Sequence, residues 1–496
     1  MNPATSPRTE PVVSVPDWGW LETGLAIAAR SEGLTYIALP APVVAAAAIV
    51  DELRDQPLVS WTSSDLTVVG VGIARELRGT GRTRWAEVIA AAHAIATNTL
   101  DPGDEPRDTM PTHLVASTLA LRDEPSRAVI AGELVPTAAL GFARPRFLGG
   151  AAFAPGAADR APWIGFGDAW FALPRWSYVH VAGGAYLVLA VDAKDAGAVE
   201  RWRDELAIFR AALAGGATDR KQPPLVELGP APAAEWHSQV TDITDAIARG
   251  ECSKVVAART CSVQLAGPVR AAGLLAALDE SHADCVRVMI KPPGGGALIA
   301  ASPERLVRRD ADVVLCDALA GSVANTGDLA GATAALRASA KDRREHDLVV
   351  HAIRAALEDA GAIVEAPAEP EIRALRHVLH LHTPFRATLR APRHVLELCA
   401  RLHPTPAVGG TPQDIATEWI ADHEPVARGW YASPVGWFDL EGNGELAVAL
   451  RSGVIAGNRA QLWAGAGIVA GSEPERELAE TEVKLRAMLG ALGVTG

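Results

Sequence analysis

Cysteine is scarce in this chain: five residues, Cys252, Cys261, Cys285, Cys316 and Cys399, among 496. The number is odd and no two form a C-x-x-C pair, which argues against a disulfide framework and against a zinc site. Long apolar runs are missing as well. The longest alanine-rich one, residues 41–50, is shorter than the roughly 20 residues that a membrane span needs, and Asp51 closes it. Residues 1–16, rich in Pro, Ser and Thr, have no apolar run behind a basic start and read as a loose tail, not a signal peptide. The expected location is therefore the cytoplasm, without membrane contact. A basic excess is also absent. Lys and Arg number 46 against 59 Asp and Glu, a formal charge of -13, so the counterion release that drives nucleic-acid binding has no basic surface to start from. An anionic ligand would need a local cluster of cations, or a metal, to enter this mean field. No fixed-period repeat is found, and alanine enrichment is the only compositional bias.

What is present favours a large packed core, with 49% apolar and 21% charged residues. The length fits one large domain or two ordinary ones. Strand-length runs at residues 34–39, 66–72 and 186–191 are broken by Gly- and Pro-rich stretches. Residues 201–214 have helical apolar spacing and stop at Gly215-Gly216. The polar, proline-bearing segment 219–232 reads as a linker. It divides an N-terminal half, 17–232, from a region at 233–496 where the chemistry concentrates. There, residues 235–249 predict a helix ending at Gly250, followed by a β-branched strand at 254–259. Strands are too many for simple βαβ alternation, so the expected class is α+β with large sheets.

Two helical segments each carry acids three residues apart, Asp342 with Glu345 and Glu477 with Glu480. That spacing puts each pair on one helical face, and hard cations such as Mg²⁺ take such oxygen donors. The competing reading is capping: Ser339 with Asp342 and Ser472 with Glu475 both match a capping box, and acids in a first turn complement the helix dipole. Lys254 starts a strand, where a lysine is ordinarily a solvated edge residue; a catalytic role would require burial or a neighbouring cation. Glu304 follows an apolar strand and reads either as a general acid or as the ion-pair partner of Arg305. Arg451 at a strand end, and Lys484 one turn after Glu480, are candidate carboxylate binders, although surface pairing is the commoner fate. Gly465-Ala-Gly467 reads as a turn that would let backbone N–H groups approach a ligand.

In order along the chain, Lys254-Val-Val-Ala-Ala-Arg259, Ser302-Pro-Glu-Arg-Leu306, Leu319-Ala-Gly-Ser322, Lys341-Asp-Arg-Arg-Glu-His346, Leu402-His-Pro-Thr-Pro-Ala407, Arg428-Gly-Trp-Tyr431 and Gly465-Ala-Gly-Ile468 through Glu480-Thr481 resemble the chorismate-utilising enzymes. That family includes isochorismate synthases, salicylate synthases and the large subunit of anthranilate synthase. The likeness is strong over residues 235–490, while Phe147-Leu-Gly-Gly150, Phe153 and the stretch from Trp163 to Arg175 look like the more variable half of isochorismate synthases.

The resemblance implies a single large domain of stacked antiparallel sheets flanked by helices, with both halves contributing strands. It implies that Lys254 activates water and that Glu304 protonates the departing hydroxyl. Glu345 and Glu480 would be direct Mg²⁺ ligands, with Asp342 and Glu477 acting through water. Tyr431, Arg451, Gly465 and Lys484 match positions that hold the substrate carboxylates, while Ser322 and His380 match positions lining the ring pocket. Ala407 stands where ammonia-using members carry threonine, which favours water as the nucleophile. The implied activity is Mg²⁺-dependent conversion of chorismate to isochorismate, for menaquinone or siderophore synthesis, by a monomer with no obligate glutaminase subunit. A salicylate synthase, an anthranilate-type synthase and an inactive chorismate-binding relative are the alternatives. Ala257, where leucine is common, and Val323-Ala-Asn-Thr-Gly327, in place of an arginine-bearing loop, depart from the family pattern. The chemistry would need Lys254 neutral and Glu304 protonated, the reverse of their usual states in water.

Overall fold

The computed structural model describes residues 18–30, 34–97, 144–182, 184–214 and 218–494, and the strands His113–Ala116 and Val135–Pro136. The expected tail at 1–16 and the stop at Gly215-Gly216 lie outside the described residues. Five strands and two helices carry the candidate site: β1 (Lys254–Leu265), β2 (Ala297–Ser302), β3 (Val313–Ala324), β4 (Val378–Leu389) and β5 (Arg459–Val469), with α1 (Ala340–Asp359) and α2 (Pro474–Ala491). β1, β2 and β5 belong to a 14-stranded sheet, β3 and β4 to a 10-stranded one.

Among the described residues pairing is antiparallel except between Leu34–Ala41 and His113–Ala116, which run parallel. Inside each sheet the two halves of the chain meet at one strand pair, Leu58–Thr62 with Val286–Lys291 in the larger and Arg146–Ala151 with Pro434–Asp439 in the smaller, apart from a further pairing at the edge of the larger sheet. The main core fills the space between the sheets, with Tyr36, Trp61 and Val68 meeting Phe147, Trp170 and Phe171. Ile37 and Leu39, one residue out of phase with Tyr36, instead enter a second core beneath the helices on the outer face. Burial on both faces explains why these strands read as continuous apolar runs instead of alternating ones.

The helices expected at 201–214 and 235–249 form as Val199–Leu213 and Ala233–Ala248, with Gly250 at φ +76° just past the second. The segment read as a linker is different. It contains the strand Leu225–Pro230, which pairs with β1 at the edge of the large sheet. Its side chains are exposed, Val226 by 59%, so no buried apolar pattern marked it; backbone pairing alone makes it a strand.

One buried ion pair fixes the position of the loop after Leu402. The side chains of Arg428 and Glu424 are 1% and 3% exposed. Arg428 donates to Glu424 Oε2 at 2.8 Å, to the carbonyl of Val408 at 2.7 Å and to that of Val256 at 2.6 Å. Glu424 Oε1 accepts from the amide of Ala258 at 2.9 Å, and the guanidinium lies 4.5 Å from the centre of the Phe153 ring. Loop, strand β1 and a residue of the first half are thus held by one cation. Removing one member of such a pair leaves the other charge buried and unmet, at a cost of about 3–5 kcal/mol. Arg428→Met should therefore lower unfolding stability in denaturant titrations by about that much, and a loss under 1 kcal/mol would contradict the role assigned to the pair.

Candidate active site

Lys254 is not an edge residue. β1 lies between Leu225–Pro230 and β5, and at Lys254 it also pairs with Gly410–Thr411. The side chain is 0% exposed and its Nζ lies 2.9 Å from Glu345 Oε1. Glu345 stands on α1, whose start is capped as the sequence suggested: Ser339 Oγ accepts from the amide of Asp342 at 3.2 Å. α2 departs from expectation. Glu473, not Ser472, precedes its first turn, and Ser472 Oγ instead accepts from the amide of Val469 at 3.2 Å.

Gly465-Ala-Gly467 is no turn either; it lies inside β5. The glycines are needed there for close approach. A Cβ on Gly467 would stand 2.4 Å from Glu345 Oε1 and 2.8 Å from Lys254 Cε, and one on Gly465 would stand 3.1 Å from the Tyr431 hydroxyl. Two bare positions on one face of a strand thus make the room into which the lysine, the glutamate and the tyrosine project.

Glu304 follows β2 and is 2% exposed, and its Oε1 has no hydrogen-bond partner among the described residues. Burial, reinforced by the nearby Asp317 charge, pushes its carboxyl up to about 8 against the opposing pull of Lys254. Arg305 is not its partner, because that guanidinium pairs with Glu445 at 2.9 Å and with Asp317 at 3.8 Å.

One cavity gathers most of the predicted residues. Glu304, Ser322, His380 and Ala407 line it, as do Tyr431, Arg451, Gly465 and Lys484, together with Glu345 and Glu480. Lys254 does not line it directly but reaches its wall through Glu345. Ser322 on β3 and His380 on β4 are cross-strand partners. Burial first, then the Arg451 and Lys484 charges, push His380 down to about 3, so its imidazole is neutral. Arg451 adopts φ +48°, a conformation rare for a non-glycine residue, and donates to Cys285 Sγ at 3.7 Å. Trp463 also lines the cavity and was missed by the sequence reading. Its signal was there: it stands two residues before Gly465, on the same face of the strand.

The four acids divide between two spaces. Glu345 and Glu480 face the cavity just described, while Asp342, Glu477 and Glu480 line an adjoining one. Among the described residues no three His, Cys, Asp or Glu side chains come together closely enough to hold a metal ion. Each glutamate has a lysine instead. Lys484 Nζ lies 2.7 Å from Glu480 Oε1 and 2.8 Å from the Gly465 carbonyl, and Lys341 pairs with Glu477. Burial works to raise the Glu480 carboxyl, but Lys484 and the Ser322 hydroxyl, 2.8 Å away, hold it below the ordinary range. Burial raises Asp342 and Glu477, helped in each case by the neighbouring glutamate.

Residues 127–493 match the chorismate binding enzyme family. The chain belongs to that family. It is 36% identical over 454 residues to the salicylate biosynthesis isochorismate synthase of Pseudomonas aeruginosa, covering 89% of this chain and 86% of that protein. To the isochorismate synthase MenF of Bacillus subtilis it is 35% identical over 363 residues, covering 70% of this chain and 75% of the relative. The solved structure of MenF, the menaquinone-specific isochorismate synthase of Escherichia coli, is similar with a TM-score of 0.73 and 26% identity, over 95% of this chain and 99% of that one. No helix among the described residues is long and apolar enough to cross a membrane.

Because Gly467 makes room for the Lys254–Glu345 pair, Gly467→Ala should destabilise the protein by about 1–3 kcal/mol through overpacking. Gly490→Ala, where a Cβ meets nothing within 4 Å, should be neutral or stabilising by up to about 1 kcal/mol. Equal effects of the two substitutions on the urea midpoint would contradict this use of Gly467.

Proposed function

We propose that this chorismate binding enzyme is an isochorismate synthase, adding water at C2 of chorismate as the C4 hydroxyl leaves. The observation that carries the reading is Glu304: a buried carboxyl with a free oxygen, proton-bearing up to about pH 8, in the cavity whose wall reaches the Lys254–Glu345 pair. A departing hydroxyl needs a proton and an attacking water must lose one, so the acid and the base belong to different side chains. In this reading Lys254, once it has given up the proton it carries in its pair with Glu345, takes one from water. Glu304 gives its own to the leaving oxygen, which departs as water. Arg451 and Lys484, with the Tyr431 hydroxyl and the backbone at Gly465, hold the carboxylates; Ser322 and neutral His380 border the ring. Ala407 leaves the loop side of the pocket without the threonine hydroxyl of ammonia-using relatives, and no glutaminase subunit is invoked.

A Mg²⁺ ion fits the donor set at Glu345 and Glu480, since it takes one or two carboxylates and completes its shell with water or substrate oxygens. Asp342 and Glu477 would stand behind them, acting through water. When bound, the ion would neutralise and orient one substrate carboxylate. The reading includes a monomer in the cytoplasm, a location supported by five cysteines that are all free and buried.

Purified protein given chorismate and Mg²⁺ without ammonia should yield isochorismate on chromatography. Salicylate with pyruvate would point instead to a salicylate synthase, and product only with added ammonia to an anthranilate-type enzyme. Lys254→Ala should abolish water addition while sparing Mg²⁺-dependent chorismate binding, and Glu480→Ala should weaken both; normal turnover by either variant would refute its role.

The acid must carry its proton, so the activity that depends on Glu304 is present below its pKa and lost as pH rises through about 8. Glu304→Gln should lower kcat by about 10²–10⁴ with little change in KM. A wild-type rate that stays flat from pH 7 to 10 would remove Glu304 from the mechanism.

A further inference from the structure

Every glutamate assigned to the metal already has a cation. Lys254 holds Glu345 at 2.9 Å, Lys484 holds Glu480 at 2.7 Å, and Lys341 holds Glu477. The first of these lysines is 0% exposed and the carboxylate it meets is only 13% exposed, so little water screens the pair. A divalent ion approaching Glu345 and Glu480 therefore meets two carboxylates whose charge is already answered at Oε1 by an ammonium group.

Resting on the functional reading above for the identity of metal and substrate, we propose that Lys254 and Lys484 are internal place-holders for the metal. They neutralise its carboxylates while the site is empty and compete with the ion for them. Lys484 also lines the substrate cavity, where an incoming substrate carboxylate offers it a second anion. When Lys484 turns to that carboxylate, Glu480 is released. Metal and substrate then favour each other without touching the same protein atom. Linkage makes the effect reciprocal: the factor by which substrate tightens the metal is the factor by which the metal tightens substrate. The lysines also explain how an acid-rich protein avoids holding stray cations on these carboxylates before substrate arrives. Such competition is a form of negative selection against the unproductive complex.

The test measures binding, not turnover, with Mn²⁺ as the probe and free Mn²⁺ counted by electron paramagnetic resonance. Lys484→Met and Lys254→Met retain much of the aliphatic stem and each should bind Mn²⁺ about tenfold more tightly than the wild type in the absence of substrate, one competing cation having gone. The metal-induced rise in Tm should also be larger in both variants than in the wild type, because the ion then covers a carboxylate left bare. Arg451→Met is the control for the general field. Its guanidinium lines the same cavity but forms no ion pair with a carboxylate among the described residues, so Mn²⁺ affinity should stay within about twofold of the wild type.

A second arm uses the Glu304→Gln background to prevent turnover. Chorismate should tighten Mn²⁺ binding by about fivefold or more, and adding Lys484→Met should shrink that factor. Unchanged or weaker Mn²⁺ binding in both lysine variants, an equal gain from Arg451→Met, or no Mn²⁺ binding by any form with or without chorismate would each overturn the proposal. Should Lys484→Met fail to fold, Lys254→Met decides alone. These readouts separate from the functional reading: a chain that behaves as described here yet makes no isochorismate would sink that reading and leave the place-holders standing.

Discussion

An arginine with almost no water around it sets the geometry on which the candidate site depends. Arg428 reaches the carbonyls of Val256 and Val408 and the carboxylate of Glu424, which in turn takes the amide of Ala258. Through these bonds the strand that begins with Lys254 and the loop that carries Ala407 are set at a fixed separation, with Tyr431 three residues beyond the arginine. Planar, multiply donating and always charged, a guanidinium suits this cross-link in a way a lysine ammonium would not. Its burial is tolerable because each of its three nitrogens meets an acceptor and the Phe153 ring covers one face.

Around that frame, protonation states follow from which carboxyls receive a cation and which do not. Glu480 has Lys484 and Ser322 and stays ionised; Glu304 has an unsatisfied oxygen and the repulsion of Asp317, and keeps its proton. Two groups of the same chemistry are driven apart by surroundings alone, the arrangement by which one pocket supplies both an acid and an anion at neutral pH. The same local logic answers the excess of acidic residues in the chain as a whole. Arg451, Lys484 and Tyr431 meet in one cavity, so in the proposed reading a dianion finds its cations there whatever the distant surface carries.

Much of this was legible in the residues, and what was not has definite causes. The strand at Lys254, the turn of chain carrying Glu304 and the paired acids on two helices came from period and spacing, which are local properties. Whether Lys254 was an edge or an interior residue depended on β5, a strand from the far end of the chain, and no local pattern reports that pairing. Gly465 and Gly467 were taken for a turn because glycine usually punctuates; here the missing Cβ serves a neighbour across the sheet and not the backbone's own path. Ser472 had the spacing of a cap but bonds backwards to Val469, while Ser339, with identical spacing, caps as expected. The strand at Leu225–Pro230 escaped because none of its apolar side chains is buried. Lys484 one turn after Glu480 was a legible pair, but the pairing of Lys254 with Glu345 was not, since it crosses 91 residues of sequence.

The way the two halves meet has a consequence for how the protein is made. Leu58–Thr62 and Arg146–Ala151 each have one partner nearby, Thr67–Val71 and Ala169–Leu173, but on the other side they pair with Val286–Lys291 and Pro434–Asp439. On a ribosome the earlier strands emerge first, and each waits with one row of amides and carbonyls open until more than two hundred further residues have been translated. At about 5–20 residues per second that is an interval of tens of seconds, during which two sticky flanks are offered to any other nascent chain. High yield in a heterologous host should therefore hinge on elongation speed and on holdase chaperones more than on the stability of the finished fold.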